Sequence, residues 1–308
     1  LRIKAVGVFT VFVLGLACSP AQAASTWPGD SGTRTADGTN VFGKNLSGVS
    51  FESPDVVWAV QNGPSALYRL VPNGSTWKVD RKQSLRFRDG QGEPDAEGVV
   101  STPDGVFVVV ERDNDDGDVS APVVLKVGGG SSAAAEWELP GLPPVDPNDG
   151  PEAIAWVPDA FLTGQNFKGD NGKLYDPADY PGHGGGLFAV GLEATGGIFL
   201  YALQEGRATL VAEFASGQPQ VMDLEFEGNR LWATCDDNCG GRSTTLAVRD
   251  GRFKVTATYD RPAKLPNVNL EGFAISPSCV KGKKVVLWAD DDNTNSHALR
   301  QGSVNCTA

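Results

Sequence analysis

The sequence predicts an all-β chain folded as a five-bladed propeller of four-stranded blades, with a six-bladed ring as the alternative. Three observations carry this. Short β-rich runs are punctuated by Gly, Pro, Asn and Asp, with no long helical periodicity. Five segments repeat at a spacing near fifty residues, the size of a propeller blade. Four of the five contain three β runs and then a fourth, and the last stops after three.

The repeats align on their first strand, here called a. Strand a begins at Asn45-Leu46-Ser47, Asp95-Ala96-Glu97, Pro151-Glu152, Asp223-Leu224-Glu225 and Asn269-Leu270-Glu271. From Ser47 through Glu97, Glu152 and Glu225 to Glu271 the steps are 50, 55, 73 and 46 residues. The long step contains an insertion, about Thr163 to Gly185, between strands a and b. Strand b follows as V-V-W-A-V-Q-N, V-F-V-V-V-E-R-D-N, G-L-F-A-V-G-L-E, R-L-W-A-T-C-D-D-N and V-V-L-W-A-D-D-D-N. The fifth repeat ends at Cys306 without a strand d, so the segment before Asn45 is expected to supply it.

The start of the chain reads as a secretory leader. Arg2 and Lys4 precede the apolar run Ala5 to Ala17, and Ala21-Gln22-Ala23 fits a cleavage site. The expected division is a signal peptide over 1–23 and a single propeller domain over 24–308. Cys18 raises a lipoprotein anchor as the alternative. Without Arg2 and Lys4, 24 Lys and Arg face 38 Asp and Glu. Such a surface repels nucleic acid and anionic lipid. No other apolar run is long enough to span a bilayer, and the expectation is a secreted monomer.

The remaining cysteines are Cys235, Cys239, Cys279 and Cys306. An even count in an exported chain favours two disulfides, and a zinc site is disfavoured by the C-x3-C spacing without nearby His. Alternating strand directions put the a–b turns and the ends of strand c on one face of the disc. Cys279 and Cys306 share that face and can bridge, while Cys235 and Cys239 lie together on the other.

Strand a lines the central channel, and its start shares a face with the end of strand b. Glu97, Glu152, Glu225 and Glu271 are therefore expected to converge on one channel mouth as candidate metal ligands. The ends of strand b add Glu111 and Asp113, Glu193, Asp236 and Asp237, and Asp290 and Asp291. Carboxylates this close need raised pKa values, basic partners or a metal ion. Oxygen donors with almost no His favour calcium. The alternative is that each Glu caps backbone N–H groups of a neighbouring blade.

Other signals carry less. Gly29-Asp30-Ser31-Gly32 resembles a serine-protease nucleophile motif but lacks a preceding His and Asp, and reads as a flexible leader. His183-Gly184-Gly185-Gly186 reads as the end of the insertion. Asp113 to Asp118 fails the EF-hand register and reads as a solvated loop. Pro144 to Pro151 is a candidate rim element.

Asp95-Ala96-Glu97-Gly98-Val99, Asp223-Leu224-Glu225-Phe226 and Asn269-Leu270-Glu271-Gly272-Phe273-Ala274 resemble blade motifs of the phytase-like ("esterase-like activity of phytase") and SdiA-regulated propellers, over roughly Asn45 to Asn293. The resemblance implies a secreted propeller with calcium near the axis and phosphoester or ester hydrolysis. Asp236 and Asp290 are then the candidate catalytic acids. Calcium-dependent phytases also hold phosphate with several basic residues, whereas the strand-b ends here offer chiefly Arg112 and Arg242. The alternative function is a non-catalytic extracellular propeller that binds a protein or glycan at the same mouth, with a structural ion or none.

Overall fold

The computed structural model describes residues 24–117 and 119–307. The leader, its cleavage site and Cys18 lie outside the described residues. Twenty strands form five antiparallel four-stranded sheets. Blade 1 is β2 (Leu46–Ser53), β3 (Val56–Gln61), β4 (Ala66–Asn73) and β5 (Thr76–Ser84). Blade 2 is β6 (Pro94–Thr102), β7 (Gly105–Asp113), β8 (Ser120–Lys126) and β9 (Ala135–Glu138). Blade 3 is β10 (Pro151–Pro158), β11 (Gly186–Leu192), β12 (Gly197–Gln204) and β13 (Arg207–Ala215). Blade 4 is β14 (Asp223–Glu227), β15 (Arg230–Thr234), β16 (Ser243–Arg249) and β17 (Arg252–Tyr259). Blade 5 is β18 (Leu270–Ile275), β19 (Lys283–Asp290) and β20 (Leu299–Asn305), and its fourth strand is β1 (Arg34–Thr35), which pairs with β20. The fold is the five-bladed propeller, closed by the N-terminal segment.

The first strands β2, β6, β10, β14 and β18 touch in that order and close the ring. Apolar side chains fill the spaces between blades, with Trp232, Tyr201 and Phe273 among the largest fully buried. The first strands crowd so closely that glycine is required. A Cβ on Gly98 would lie 2.8 Å from Ile154 N, and one on Gly272 would lie 2.5 Å from the Ser47 carbonyl oxygen. This explains the Gly that follows Glu in two of the blade motifs.

The segment before β1 is a packed strap and not a flexible leader. Trp27 sits among Trp232, Phe273 and Trp288, and its Nε1 donates to the Ser303 carbonyl at 2.8 Å. Gly29 lies against the same carbonyl, and Asp30 pairs with Lys283. The Gly29-Asp30-Ser31-Gly32 motif thus closes the ring.

Both disulfides form, Cys235–Cys239 and Cys279–Cys306. The second ties the β18–β19 turn to the end of β20 in the closing blade. Replacing Cys279 and Cys306 with serine is expected to cost about 3 kcal/mol, the usual loop-closure contribution at this loop length. Urea midpoints of the oxidised protein and the double variant check this, and equal midpoints would contradict it.

The insertion in blade 3 opens with α1 (Asp159–Gly164) and lies on the face away from the carboxylates. His183 is buried in it. Its Nε2 lies 3.0 Å from Asp159 Oδ2 and 3.1 Å from the Tyr175 hydroxyl, and Tyr175 stacks on Tyr180. This network fastens the insertion to its own blade.

Candidate functional site

At one channel mouth lies a cavity of 410 Å³. Eight carboxylates line it, and Arg112 is the single basic side chain among its described lining residues. A larger open groove of 1210 Å³ runs along the outer edge of blade 2, past Phe87, Trp137 and Arg207. Asp89, Asp113, Glu136 and Glu138 line it, but the carboxylate triads among the described residues lie at the axial mouth.

Backbone irregularity aims the glutamates. Strand pairing skips a residue at Glu97, between Ala96 and Gly98, at Glu152, between Pro151 and Ala153, and at Glu271, between Leu270 and Gly272. Each Glu sits in a β-bulge, which turns its side chain towards the axis. Blade 1 carries its irregularity between Leu46 and Val49, and there the buried Ser47 donates to the Glu97 carbonyl at 2.7 Å.

In blade 4 the first strand pair, β14 with β15, has no bulge. Asp223, Leu224 and Glu225 pair in step with Thr234, Ala233 and Trp232. Glu225 consequently lies away from the cluster, in a small cavity at the other end of the channel beside Glu227, which is paired with Lys284. Burial, reinforced by the Glu227 charge, raises Glu225 to about 8. The acid deep in the throat is Asp223, which is fully buried. Its Oδ2 accepts from Phe273 N at 2.6 Å and its Oδ1 from Leu224 N at 2.7 Å. Asp223 therefore joins blades 4 and 5 in the backbone-capping role that was the alternative for all four acids.

The acids that converge are Glu97, Glu152 and Glu271 from the first strands, with Glu111 and Glu193 at the ends of β7 and β11. Asn62 Nδ2 donates to both Glu97 oxygens at 3.1 Å. Asn269 Nδ2 donates to Glu271 Oε1 at 2.8 Å, while Glu271 Oε2 is buried without a partner. Gly150 N donates to Glu111 Oε1 at 2.7 Å, which places the Pro144–Pro151 loop on the rim. Gln220 Nε2 reaches Glu193 Oε1 at 2.8 Å. Glu152 is 5% exposed, and among the described residues no donor bonds its carboxylate. Asn62, Gln220 and Asn269 carried no sequence signal as site residues, because neutral amides near strand ends are common.

Burial is the largest cause of the pKa shifts here. It raises Glu97, Glu152 and Glu271 well above the carboxylate range, and the neighbouring acids raise them further. Glu111 and Glu193 are each pushed up to about 7, again chiefly by burial. Arg112 is only a partial counter-charge. Its Nε lies 2.7 Å from Asp95 Oδ2, and its Nη1 lies 3.8 Å from Glu111 Oε2.

The two candidate catalytic acids separate. Asp236 lines the cavity and caps the turn that follows it, accepting from Asn238 N at 2.9 Å. Asp290 is fully buried outside the cavity and is held by Arg300 Nη2 at 3.0 Å and by Thr294. It organises the β19–β20 loop and has no access to a ligand at the mouth. The Asp113 loop lies beyond the cavity, where Asp113 Oδ1 accepts from Glu93 N and Asp115 N.

No family model matches this chain, and no curated protein matches it. Solved structures do. The glutaminyl cyclase of Myxococcus xanthus aligns over 89% of this chain and 97% of its own, with a TM-score of 0.52 at 12% identity. The PQQ-bound aldose sugar dehydrogenase of Streptomyces coelicolor aligns over 88% and 98%, with a TM-score of 0.40 at 9% identity. A chain of a mitotic checkpoint complex aligns over 85% of this chain, at 13% identity and a TM-score of 0.42. This protein spans 64% of that chain's length. Both enzymes are β-propeller proteins. At 12% identity the likeness to the glutaminyl cyclase shows the fold alone.

Proposed function

We propose that the axial mouth binds a divalent, oxygen-preferring cation of the calcium type, and that the protein is a secreted propeller hydrolase acting on an ester or phosphoester there. One observation carries the reading. Glu271 Oε2 is buried without a hydrogen-bond partner beside Glu152, which no donor among the described residues bonds, and three further glutamates join them to face a single arginine. Charges this close and this dry are strongly unfavourable unless protonated or neutralised by a cation.

The donor set fits such an ion. It consists of carboxylates, with no His at the mouth, which suits calcium better than zinc or copper. Glu111, Glu152 and Glu193 can each bring one oxygen within 4.8 Å of the others, and they would hold the ion with Glu97 and Glu271 beside them. When bound, the ion polarises a substrate oxygen or acidifies water. Asp236 would then take a proton at the cavity wall, while Arg112 stabilises charge on the substrate. With one basic side chain at the mouth, the substrate carries few negative groups. Two disulfides and an acidic surface support secretion, and the resemblance to phytase-like propellers supports hydrolysis.

Calorimetric titration of chelator-treated protein with calcium is expected to show binding. Glu152→Gln is expected to weaken it about a hundredfold, the equivalent of removing roughly 3 kcal/mol of charge contact. Turnover of ester, lactone and phosphoester substrates should disappear with EDTA and fall in Asp236→Asn. Wild-type protein that takes up no divalent ion would sink the reading. Binding without turnover on any substrate would leave a binding propeller.

A further inference from the structure

The carboxylates at the mouth form two overlapping triads. Asp95, Glu97 and Glu111 can each place one oxygen within 4.8 Å of the others, and so can Glu111, Glu152 and Glu193. Glu111 belongs to both. The triads differ in the charge beside them. The first already has Arg112, in contact with Asp95 and near Glu111. This is a contact of charges and not an aligned hydrogen bond, because neither Asp95 Oδ2 nor Arg112 Nε has a hydrogen-bond partner. Asp95 itself is 3% exposed. The second triad meets a basic side chain only through the shared Glu111, 3.8 Å from Arg112 Nη1, and contains the unbonded Glu152.

We propose that Arg112 stands in the seat of a second cation: the mouth takes one divalent ion at Glu111, Glu152 and Glu193, and a guanidinium at Asp95, Glu97 and Glu111 replaces the other. This rests on the cation reading above. A guanidinium stays charged at every accessible pH and cannot dissociate as an ion does. Asn148 Oδ1 and the Pro147 carbonyl accept from Nη1 and fix its direction. An oxyanion of the substrate would meet the exchangeable ion on one side and fixed N–H donors on the other. Such a pair stabilises developing negative charge from both sides. The arginine also repels a second divalent ion from oxygens that could otherwise hold one. Arg112 thus sets the stoichiometry of the site.

The test is calcium titration of the full chain, with each variant first checked by thermal unfolding. Wild type is expected to bind one ion at the mouth and Arg112→Met two. Adding Asp95→Asn to Arg112→Met is expected to return the count to one. The first ion should bind at least tenfold more tightly in Arg112→Met, since the nearest like charge is gone. Arg112→Met with one ion, or wild type with two, would overturn the proposal and leave the cation reading standing. No ion in either protein would remove the cation reading itself. If Arg112→Met does not fold, Asp95→Asn alone decides. It keeps the arginine's charge but removes part of its seat, so the count should stay at one and the affinity should fall several-fold. Unchanged or tighter binding would overturn the proposal.

Discussion

Replacing Asp223 with alanine is expected to destabilise the propeller by about 4 kcal/mol, since two buried backbone N–H groups each lose an acceptor worth ~1–3 kcal/mol. Those donors are Phe273 N in blade 5 and Leu224 N in blade 4. Burial raises its pKa well above the usual range, with only part of that offset by the N–H bonds. Removing it therefore relieves one cost while leaving the donors stranded, and the stranded donors are the larger effect. Asparagine would not rescue the site, because its amide nitrogen would face an N–H donor. Denaturation midpoints of wild type, Asp223→Ala and Asp223→Asn measure this. An alanine variant as stable as wild type would show that the buried acid costs as much as it contributes.

Chelated protein is expected to lose stability as pH rises from about 4.5 to 8, the reverse of ordinary acid unfolding. The clustered carboxyls have folded pKa values above their unfolded ones, with Glu111 and Glu193 near 7 and Glu97, Glu152 and Glu271 also raised. Between the two values the folded state binds more protons than the unfolded one, so stability falls with pH. It is greatest below the unfolded pKa and is lost as pH passes through the folded pKa. For Glu111 the shift corresponds to about 3 kcal/mol. Asp30 and Asp250 are shifted down, so their opposing contribution changes only at lower pH. Calcium should restore most of the lost stability at pH 8 and little at pH 5, where protons compete for the same oxygens. Urea midpoints at both pH values, with EDTA and with calcium, check the sign. A chelated protein more stable at pH 8 than at pH 5 would contradict it.

Blade number, strand order and ring closure were legible because each rests on a pattern that repeats five times. Glu97, Glu152 and Glu271 were legible for the same reason. Glu225 was not, because the shared Leu-Glu pair aligned blade 4 with blade 5 across a bulge that the first strand pair of blade 4 lacks. One missing bulge residue moves the acid along the strand, and Asp223 becomes the residue facing the throat. Sequence similarity weighs identity and cannot register a change in pleat. Asp290 failed for another reason. It ends strand b like Asp236, but Arg300, opposite Trp288 on β20, reaches diagonally across the strands and claims its carboxylate. Cross-strand partners of that kind depend on the register of two strands together. Arg112 was visible as a charge in the sequence, and its relation to both triads required coordinates.

The strap and β1 have a consequence for how the chain reaches its fold. The last blade cannot be completed until residues near both chain ends are present together, since Arg34 pairs with Gln301. Blades 1 to 4 are built from local hairpins and can form early. The final pairing joins residues 267 positions apart (34 and 301), and contacts of such high sequence separation form late and slowly. During synthesis, Trp27 and the β18 face that it covers remain exposed until the C-terminal strand arrives. That interval is when the chain is most open to aggregation and to proteolysis. Variants that weaken the seam should lower the yield of folded protein more than their equilibrium stability would indicate.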